Sequence, residues 1–442
     1  MIVIIGNGIS GVTAARYIRK KSDEQIMIIS SESTYFFSRT ALMYVYMGHM
    51  KFEHTQPYEP YFWEKNRIEL HQAHVAEIDT DSKTLITTDG ASIPYSKLIL
   101  ATGSKPNKFG WKGQDSIGVQ GLYSKQDLET MEENTKGIQH AVIVGGGLIG
   151  IEMAEMLLTR NIKVDFLVRE SHFWSGVLPK QDAELIMKHF EKHHGLTMHY
   201  GDELEEIVPD QNGRVSRVIT KNGTSLNCQF VGLTAGVSPN IDFVKSSKIE
   251  THRGILVNRF LETSEKDVYA IGDCAEFREP LENRRPIEQV WYTGKFMGET
   301  VAETITGTRR EYTPGHWFNS AKFFEIEYQT YGIVLNHLHE NQDEFVYQHA
   351  TDEVLLHFVF EKDSRKFIGI NNFGIRLRHP LFNDWLNRGI TIEEVLMNLQ
   401  SANFDPEFYK KYEQEVIDQY NAKFGTQLKL NPPKWWQKLI HA

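Results

Sequence analysis

At 442 residues with a formal net charge of −10, the chain has room for two or three domains, and its acidic balance argues against nucleic acid as the main partner. Forty per cent apolar and 24% charged residues are an ordinary globular composition. The two cysteines, Cys228 and Cys274, form no C-x-x-C or C-x-x-x-x-C pair, which argues against a local dithiol centre and a cysteine zinc site. Few cysteines suit a reducing cytoplasm, Met1 leads straight into the first strand without a cleavable signal, and no apolar run approaches bilayer-spanning length. A cytoplasmic location is the expectation.

Ile2, Val3, Ile4 and Ile5 are four β-branched residues that predict a buried strand. Gly6, Gly8 and Gly11 follow at the spacing G-x-G-x-x-G, with a helix expected over 12–19. Gly6 permits the tight turn, Gly8 lets a pyrophosphate approach the backbone, and Gly11 lets the helix pack on the strand. The helix start then offers N–H groups and a positive dipole end to the phosphates. Residues 26–29 predict the second strand, and Glu32 lies about 20 residues beyond Gly11, where a carboxylate holds an adenosine ribose. The alternative is a solvated strand end. Residues 33–48 are aromatic core candidates with one cation, Arg39, which suits the phosphates of a flavin nucleotide. A strand over 74–79, a hairpin through Asp81 and Asp89-Gly90, and a strand over 98–100 closed by Ala101-Thr102-Gly103 come next. Residues 107–137 read as a connection between domains.

The glycine device then recurs. Residues 141–144 predict a strand, Gly145, Gly147 and Gly150 repeat the spacing, Ile151 to Leu158 continue as a helix, and 164–168 form the next strand. Two fingerprints about 140 residues apart, each between strand and helix, point to two nucleotide sites. An amphipathic helix over 181–194 carries His189, His193 and His194, with His199 beyond. The i, i+4 pair has metal-ligand spacing, but no carboxylate motif accompanies it. These histidines read as solvated, and no metal is expected.

Further strands follow over 215–220 and 230–234. The strand over 268–271 ends on Gly272-Asp273, whose carboxylate suits a sugar-like hydroxyl, and Cys274 beside it reads as a packing residue. Trp291 and Tyr292 open a helix to about Thr306; either they gate a cofactor face or they pack. From Tyr312 the pattern is an antiparallel sheet over 317–334 and 345–370, followed by helices. One of these is bounded by Asp405 at the N-cap, Pro406 in the first turn and Gly425 past the end. Its stripe of Phe408, Tyr412, Val416, Tyr420 and Phe424 reads as core. Trp435-Trp436 in the tail could cap a domain or bind a partner, with membrane contact the least favoured use.

Gly6-Asn7-Gly8-Ile9-Ser10-Gly11, Ala101-Thr102-Gly103, Gly145-Gly146-Gly147-Leu148-Ile149-Gly150-Ile151-Glu152 and Gly272-Asp273, in that order over roughly residues 1–335, resemble the pyridine nucleotide-disulfide oxidoreductase superfamily of flavoproteins. The resemblance implies an α/β chain with two Rossmann-like dinucleotide-binding domains of glutathione reductase type plus a C-terminal α+β domain. The FAD domain would comprise 1–110 and 245–312, the NAD(P) domain 111–244, and an interface domain with a helical extension 313–442; a homodimer is compatible with this. It also implies FAD at the first fingerprint and NADH or NADPH at the second. Ala101-Thr102-Gly103 would link the domains, Asp273 would hold the ribityl chain, and the backbone of Val75 would contact the adenine. Glu152 would lie near the nicotinamide, and Gly236 would line the NAD(P) site.

Disulfide reductases of this superfamily carry a redox cysteine within or near the equivalent of 34–50, and this chain has none there. Phe37-Ser38-Arg39-Thr40-Ala41-Leu42 is instead similar to the Tyr-x-Arg-Pro-Pro-Leu segment of ferredoxin and rubredoxin reductases, nitrite reductase flavin domains and apoptosis-inducing factor. Their FAD-contacting arginine corresponds to Arg39. Met43-Tyr44 replaces their Ser-Lys, which makes Tyr44 a flavin-face candidate, and Trp317-Phe318-Asn319-Ser320 is similar to their Trp-Ser-Asp stretch, which makes Trp317 another. The resemblance implies hydride transfer from NAD(P)H to flavin and release of electrons to a small iron–sulfur or rubredoxin-like protein, with no catalytic side chain required. A quinone reductase and a redox-sensing interaction protein are the alternatives. At the coenzyme ribose, Val168 takes the usual acidic place and Arg169 then Glu170 follow, which leans toward NADPH unless both charges are merely solvated.

Overall fold

All four residues of β1 (Ile2–Ile5) are buried, as β-branched side chains facing both ways require in a sheet covered on both sides. In the computed structural model, which describes residues 1–404 and 410–432, β1 lies in parallel between β2 (Ile26–Ser30) and a later strand. Beyond β2 lies β3 (Ile68–Gln72), and the strand on the other side of β1 is β4 (Lys97–Leu100). Val268–Ala270 completes this sheet at the outer edge of β4. Ile5 pairs with both Ile29 and Leu100, so the loops after β1, β2 and β4 leave from one edge. The strand order reverses at β1, and the crevice at such a point is where open α/β sheets bind ligands. Helix α1 (Ile9–Arg19) buries Val12, Ala14, Ala15 and Ile18.

The second sheet repeats the plan. β5 (Val119–Gln120), β6 (His140–Val144), β7 (Lys163–Val168) and β8 (Phe230–Leu233) run parallel in the order β7-β6-β8-β5. Val144 pairs with both Leu167 and Leu233, and α2 (Leu148–Thr159) follows β6 as α1 follows β1. The fold is thus α/β with two Rossmann-like sheets, as the sequence leads one to expect. Helix α3 (Trp291–Ile305) crosses α1 through Gly294 and Gly298, spaced G-x-x-x-G. A Cβ at Gly294 would lie 2.5 Å from Ser10 Oγ, and one at Gly298 would lie 2.6 Å from the Ser10 carbonyl.

By internal contacts the chain divides into two units, 1–167 with 203–314, and 168–202 with the residues from Gly315 onward. In the second unit, strands Phe318–Phe323, Ile326–Gly332, Phe367–Phe373, Leu355–Glu361 and Gln342–Gln348 make an antiparallel sheet in that spatial order. Tyr331, Phe345, Tyr347, Phe358, Phe382, Trp385, Val416 and Tyr420 fill its core. Among the described residues no helix is long and apolar enough to cross a membrane.

Three sequence expectations change. Residues 107–137 are more than a connection: they hold β5 and a helix, Lys125–Asn134, started by a capping box of Ser124 and Asp127. Only Leu128 and Met131 of that helix are buried, too narrow a stripe to announce itself. The helix before Gly425 spans Glu413–Phe424, starting later than expected, because Lys410 Nζ and Tyr412 Oη both hold Asp352, at 2.9 and 2.8 Å, and tie down the lead-in. Asp405, Pro406, Phe408, Trp435 and Trp436 lie outside the described residues. Tyr412, Val416 and Tyr420 are buried, in keeping with the core reading of their stripe. Finally, the helix over 181–194 is Lys180–Phe190, and His189 near its end is buried rather than solvated, whereas His194 is exposed.

Candidate functional site

The first glycine device sits at the carboxyl edge of β1. Gly6 has φ +114°, and a Cβ there would overlap the carbonyl of Ala101; one on Gly11 would overlap the carbonyl of Gly6. A Cβ on Gly8 would meet nothing within 4 Å. Gly8 is the N-cap of α1, no side chain caps that helix, and its first turn, which includes Ile9 and Ser10, holds no acid. The turn is closed on its protein side and open on the other, with helix N–H groups aimed outward, which fits a pyrophosphate. Asn7 fastens the turn to the end of β2: its Nδ2 donates to the Ser33 carbonyl at 2.7 Å, and Ser30 Oγ donates to its Oδ1 at 3.0 Å.

Beyond β2, Glu32 and Arg39 meet each other. Arg39 Nη1 donates to Glu32 Oε1 at 2.8 Å and Nη2 to Oε2 at 2.6 Å, while the N–H of Lys125 donates to Oε1 at 2.8 Å. The guanidinium also lies 4.4 Å from the centre of the Tyr123 ring. Burial works against the Arg39 charge, but Glu32 outweighs it and holds the group above the ordinary arginine range. Val75 opens the strand Val75–Asp79 close by, since the N–H of Ala73 reaches the Ser30 carbonyl at 3.1 Å.

Asp273 stands in the turn Gly272–Cys274, just after the strand Val268–Ala270. Its Oδ2 accepts from Ser104 Oγ at 3.1 Å and from the Tyr123 hydroxyl at 3.4 Å, and Gln289 Nε2 donates to Ser104 Oγ at 2.9 Å. Burial pushes the Asp273 carboxyl up and, with the Asp273 charge, moves the Tyr123 phenol to about 12. Ala101 is buried, and Thr102 Oγ1 donates to the Asn240 carbonyl at 2.7 Å. Tyr123, Ser104 and Gln289 carry no sequence signal of their own; only Ser104, next to Ala101-Thr102-Gly103, was within reach of one.

The second device is built the same way. Gly145 has φ +119°, with its missing Cβ 2.6 Å from the Thr234 carbonyl, and Gly150 approaches both the Gly145 carbonyl and the Phe166 ring. Gly147 again faces open space as the uncapped N-cap of α2, ahead of Leu148 and Ile149. Thr234-Ala235-Gly236 closes β8 as Ala101-Thr102-Gly103 closes β4, and the Gly236 carbonyl accepts from the N–H of Asn107 at 3.1 Å. Glu152, one turn into α2, is pushed up to about 7 by burial and by neighbouring Glu155.

Trp291 and Tyr292 start α3 in a T-shaped contact, and Trp291 is 40% exposed. Tyr44 stacks on His49. In the second unit, the Trp317 carbonyl accepts from the N–H of Gly332, and Arg169 pairs with Glu170 at 2.8 Å. Cys274 and Cys228 are both free and buried, and burial raises both thiols, which makes them packing groups.

A family model described as pyridine nucleotide-disulphide oxidoreductase matches residues 1–298. The chain belongs to that family. This oxidoreductase is 33% identical to nitrite reductase (NAD(P)H) of Bacillus subtilis over 63% of its own chain and 34% of the relative, so it spans about a third of that protein. It is 31% identical to NADH-rubredoxin oxidoreductase of Clostridium acetobutylicum over 62% of its chain and 68% of the relative. The fold resembles a ferredoxin reductase from Rhodopseudomonas palustris, with a TM-score of 0.79 at 23% identity, covering 92% of this chain and 98% of the other. The first device, with its open Gly8 side and uncapped α1, fits the pyrophosphate of a dinucleotide such as FAD.

Proposed function

We propose that this chain takes a hydride from NAD(P)H and passes electrons to a separate small protein of the iron–sulfur or rubredoxin kind. The observation that carries the reading is the state of the thiols beside two intact glycine devices. Cys274 and Cys228 are buried packing groups, so reducing equivalents leave without passing through protein sulfur.

FAD, when bound, supplies the hydride-accepting and electron-releasing chemistry. The chain's part is to bind, orient and exclude water. Gly8 and the first-turn N–H groups of α1, including Ile9 and Ser10, hold the flavin pyrophosphate. Glu32 accepts from the adenosine ribose, and Arg39 holds Glu32 in place. Asp273 accepts from a ribityl hydroxyl, with Ser104 and Tyr123 fixing its second oxygen. Gly147 and the start of α2 hold the coenzyme pyrophosphate, Gly236 lines that site, and Glu152 faces the nicotinamide side. Residues 1–110 with 245–312 make the FAD domain, 111–244 the NAD(P) domain and 313–442 the third domain. Arg169 favours the 2′-phosphate of NADPH, and the protein works in the cytoplasm.

The test is an anaerobic titration of the purified protein with NADPH and with NADH, read by flavin absorbance, followed by addition of a rubredoxin or a [2Fe–2S] ferredoxin. Rapid bleaching by NADPH and reoxidation by one of these proteins is the expected result. Slow bleaching, with a long-lived charge-transfer band and no acceptor turnover, would instead mark a redox sensor.

A further inference from the structure

Helix Lys180–Phe190 and the turn after it carry His189 and His193, and the tight turn between strands Phe318–Phe323 and Ile326–Gly332 carries Glu325. All three lie in the second unit and converge. His189 Nε2 is 3.1 Å from Glu325 Oε2 and 3.2 Å from His193 Nε2, and His193 Nε2 is 3.4 Å from Glu325 Oε2. The three donor atoms form a nearly equilateral triangle. A tetrahedral ion bound at about 2.0–2.1 Å spaces its donors about 3.3 Å apart. Two imidazoles and one carboxylate are a ligand set that zinc and its neighbours accept.

The surroundings fit the same use. His189 Nδ1 lies 2.8 Å from Glu353 Oε1. A carboxylate that accepts Nδ1–H fixes the tautomer, turns the Nε2 lone pair toward the other two donors and raises ligand basicity. Lys192 pairs with the same Glu353 oxygen and steadies it. The His193 ring stacks on Phe324 at 3.9 Å and 22°, which fixes its plane. His189 is 5% exposed, His193 20% and Glu325 71%, so one side opens to water for a fourth ligand.

We propose that His189, His193 and Glu325 bind one divalent transition-metal ion of the zinc class, with Glu353 as the supporting carboxylate. The ion would clasp the end of the helix to the hairpin turn. Sequence spacing supplied only the histidine pair; the carboxylate arrives from 132 residues further on.

The test uses tag-free holoprotein stripped with a chelator, then titrated with zinc chloride by calorimetry and assayed for bound metal after dialysis. One zinc per chain is expected in the wild type and in the neighbouring control His194→Ala. Binding should be lost in His193→Ala and Glu325→Gln, and weakened about 10- to 100-fold in Glu353→Gln. Glu325 is surface-exposed, so its variant keeps the fold, which circular dichroism checks. Zinc should also raise the melting temperature of the wild type and not that of Glu325→Gln. Equal zinc uptake by Glu325→Gln and the wild type, or no stoichiometric zinc in the wild type, overturns the proposal and leaves His189 as a hydrogen-bonded strut between Glu325 and Glu353.

Discussion

Arg39 grips Glu32 with both arms of its guanidinium, and the two oxygens of Glu32 accept three hydrogen bonds in all. A carboxylate held this way is fixed in orientation before any ribose arrives, and a fork of donors does this where a lysine cannot. Arg39→Lys should therefore weaken FAD binding about 10- to 100-fold, the worth of one or two charge-assisted hydrogen bonds. Titration of the apoprotein with FAD, read by flavin fluorescence, measures it. Unchanged affinity would make the pair a structural strut only.

The glycines of the first device should separate by role. Gly8→Ala faces open space and should cost the fold only about 0.5–1 kcal/mol, as a weaker N-cap, while FAD affinity falls about 10-fold. Gly6→Ala meets the Ala101 carbonyl at a positive φ and should destabilise the chain by about 2–4 kcal/mol. Melting curves with and without added FAD distinguish the two.

His357 is buried, with Nδ1 2.7 Å from Asp182 and Nε2 3.0 Å from Glu344, while Asn371 donates to the other Asp182 oxygen at 2.8 Å. Burial opposes the charge, but the two carboxylates outweigh it and raise the imidazolium to about 9. A folded pKa above the unfolded value means this stabilisation is full below about 6.5 and is lost as pH rises through about 9. Its ceiling is about 3 kcal/mol. Urea unfolding between these limits should show a decline that His357→Gln abolishes; a decline that persists in the variant assigns it to other groups.

Arg169→Ala should lower kcat/KM for NADPH about 10- to 100-fold, through loss of a charge-assisted phosphate contact, and leave NADH turnover near wild type. Steady-state rates with both coenzymes decide it. An equal loss for both would place the 2′-phosphate elsewhere.

Much of the architecture was legible because its chemistry is local. G-x-G-x-x-G spells out turn, approach and helix start within six residues, and Ile2 to Ile5 announce their burial by composition. What could not be read is what the fold alone brings together. Tyr123, Ser104 and Gln289 come from three stretches and meet only around Asp273. The helix Lys125–Asn134 hid because two apolar residues make too narrow a stripe for periodicity to detect. His189 was misjudged for the opposite reason: a titratable residue near the end of an amphipathic helix looks solvated until carboxylates from distant segments close over it.

The crossing of α1 by α3 also constrains how the chain is made. Ser10 is pressed by Gly272, Gly294 and Gly298, whose missing side chains leave room for it alone. At 5–20 residues per second, roughly 15–60 s of synthesis separate Ser10 from Gly298. During that time the first glycine turn exists without the helix that seats it. The seating of that turn is therefore completed late in translation. A break before Gly294 would leave a nascent chain whose α1 lacks the helix that packs on it at Ser10.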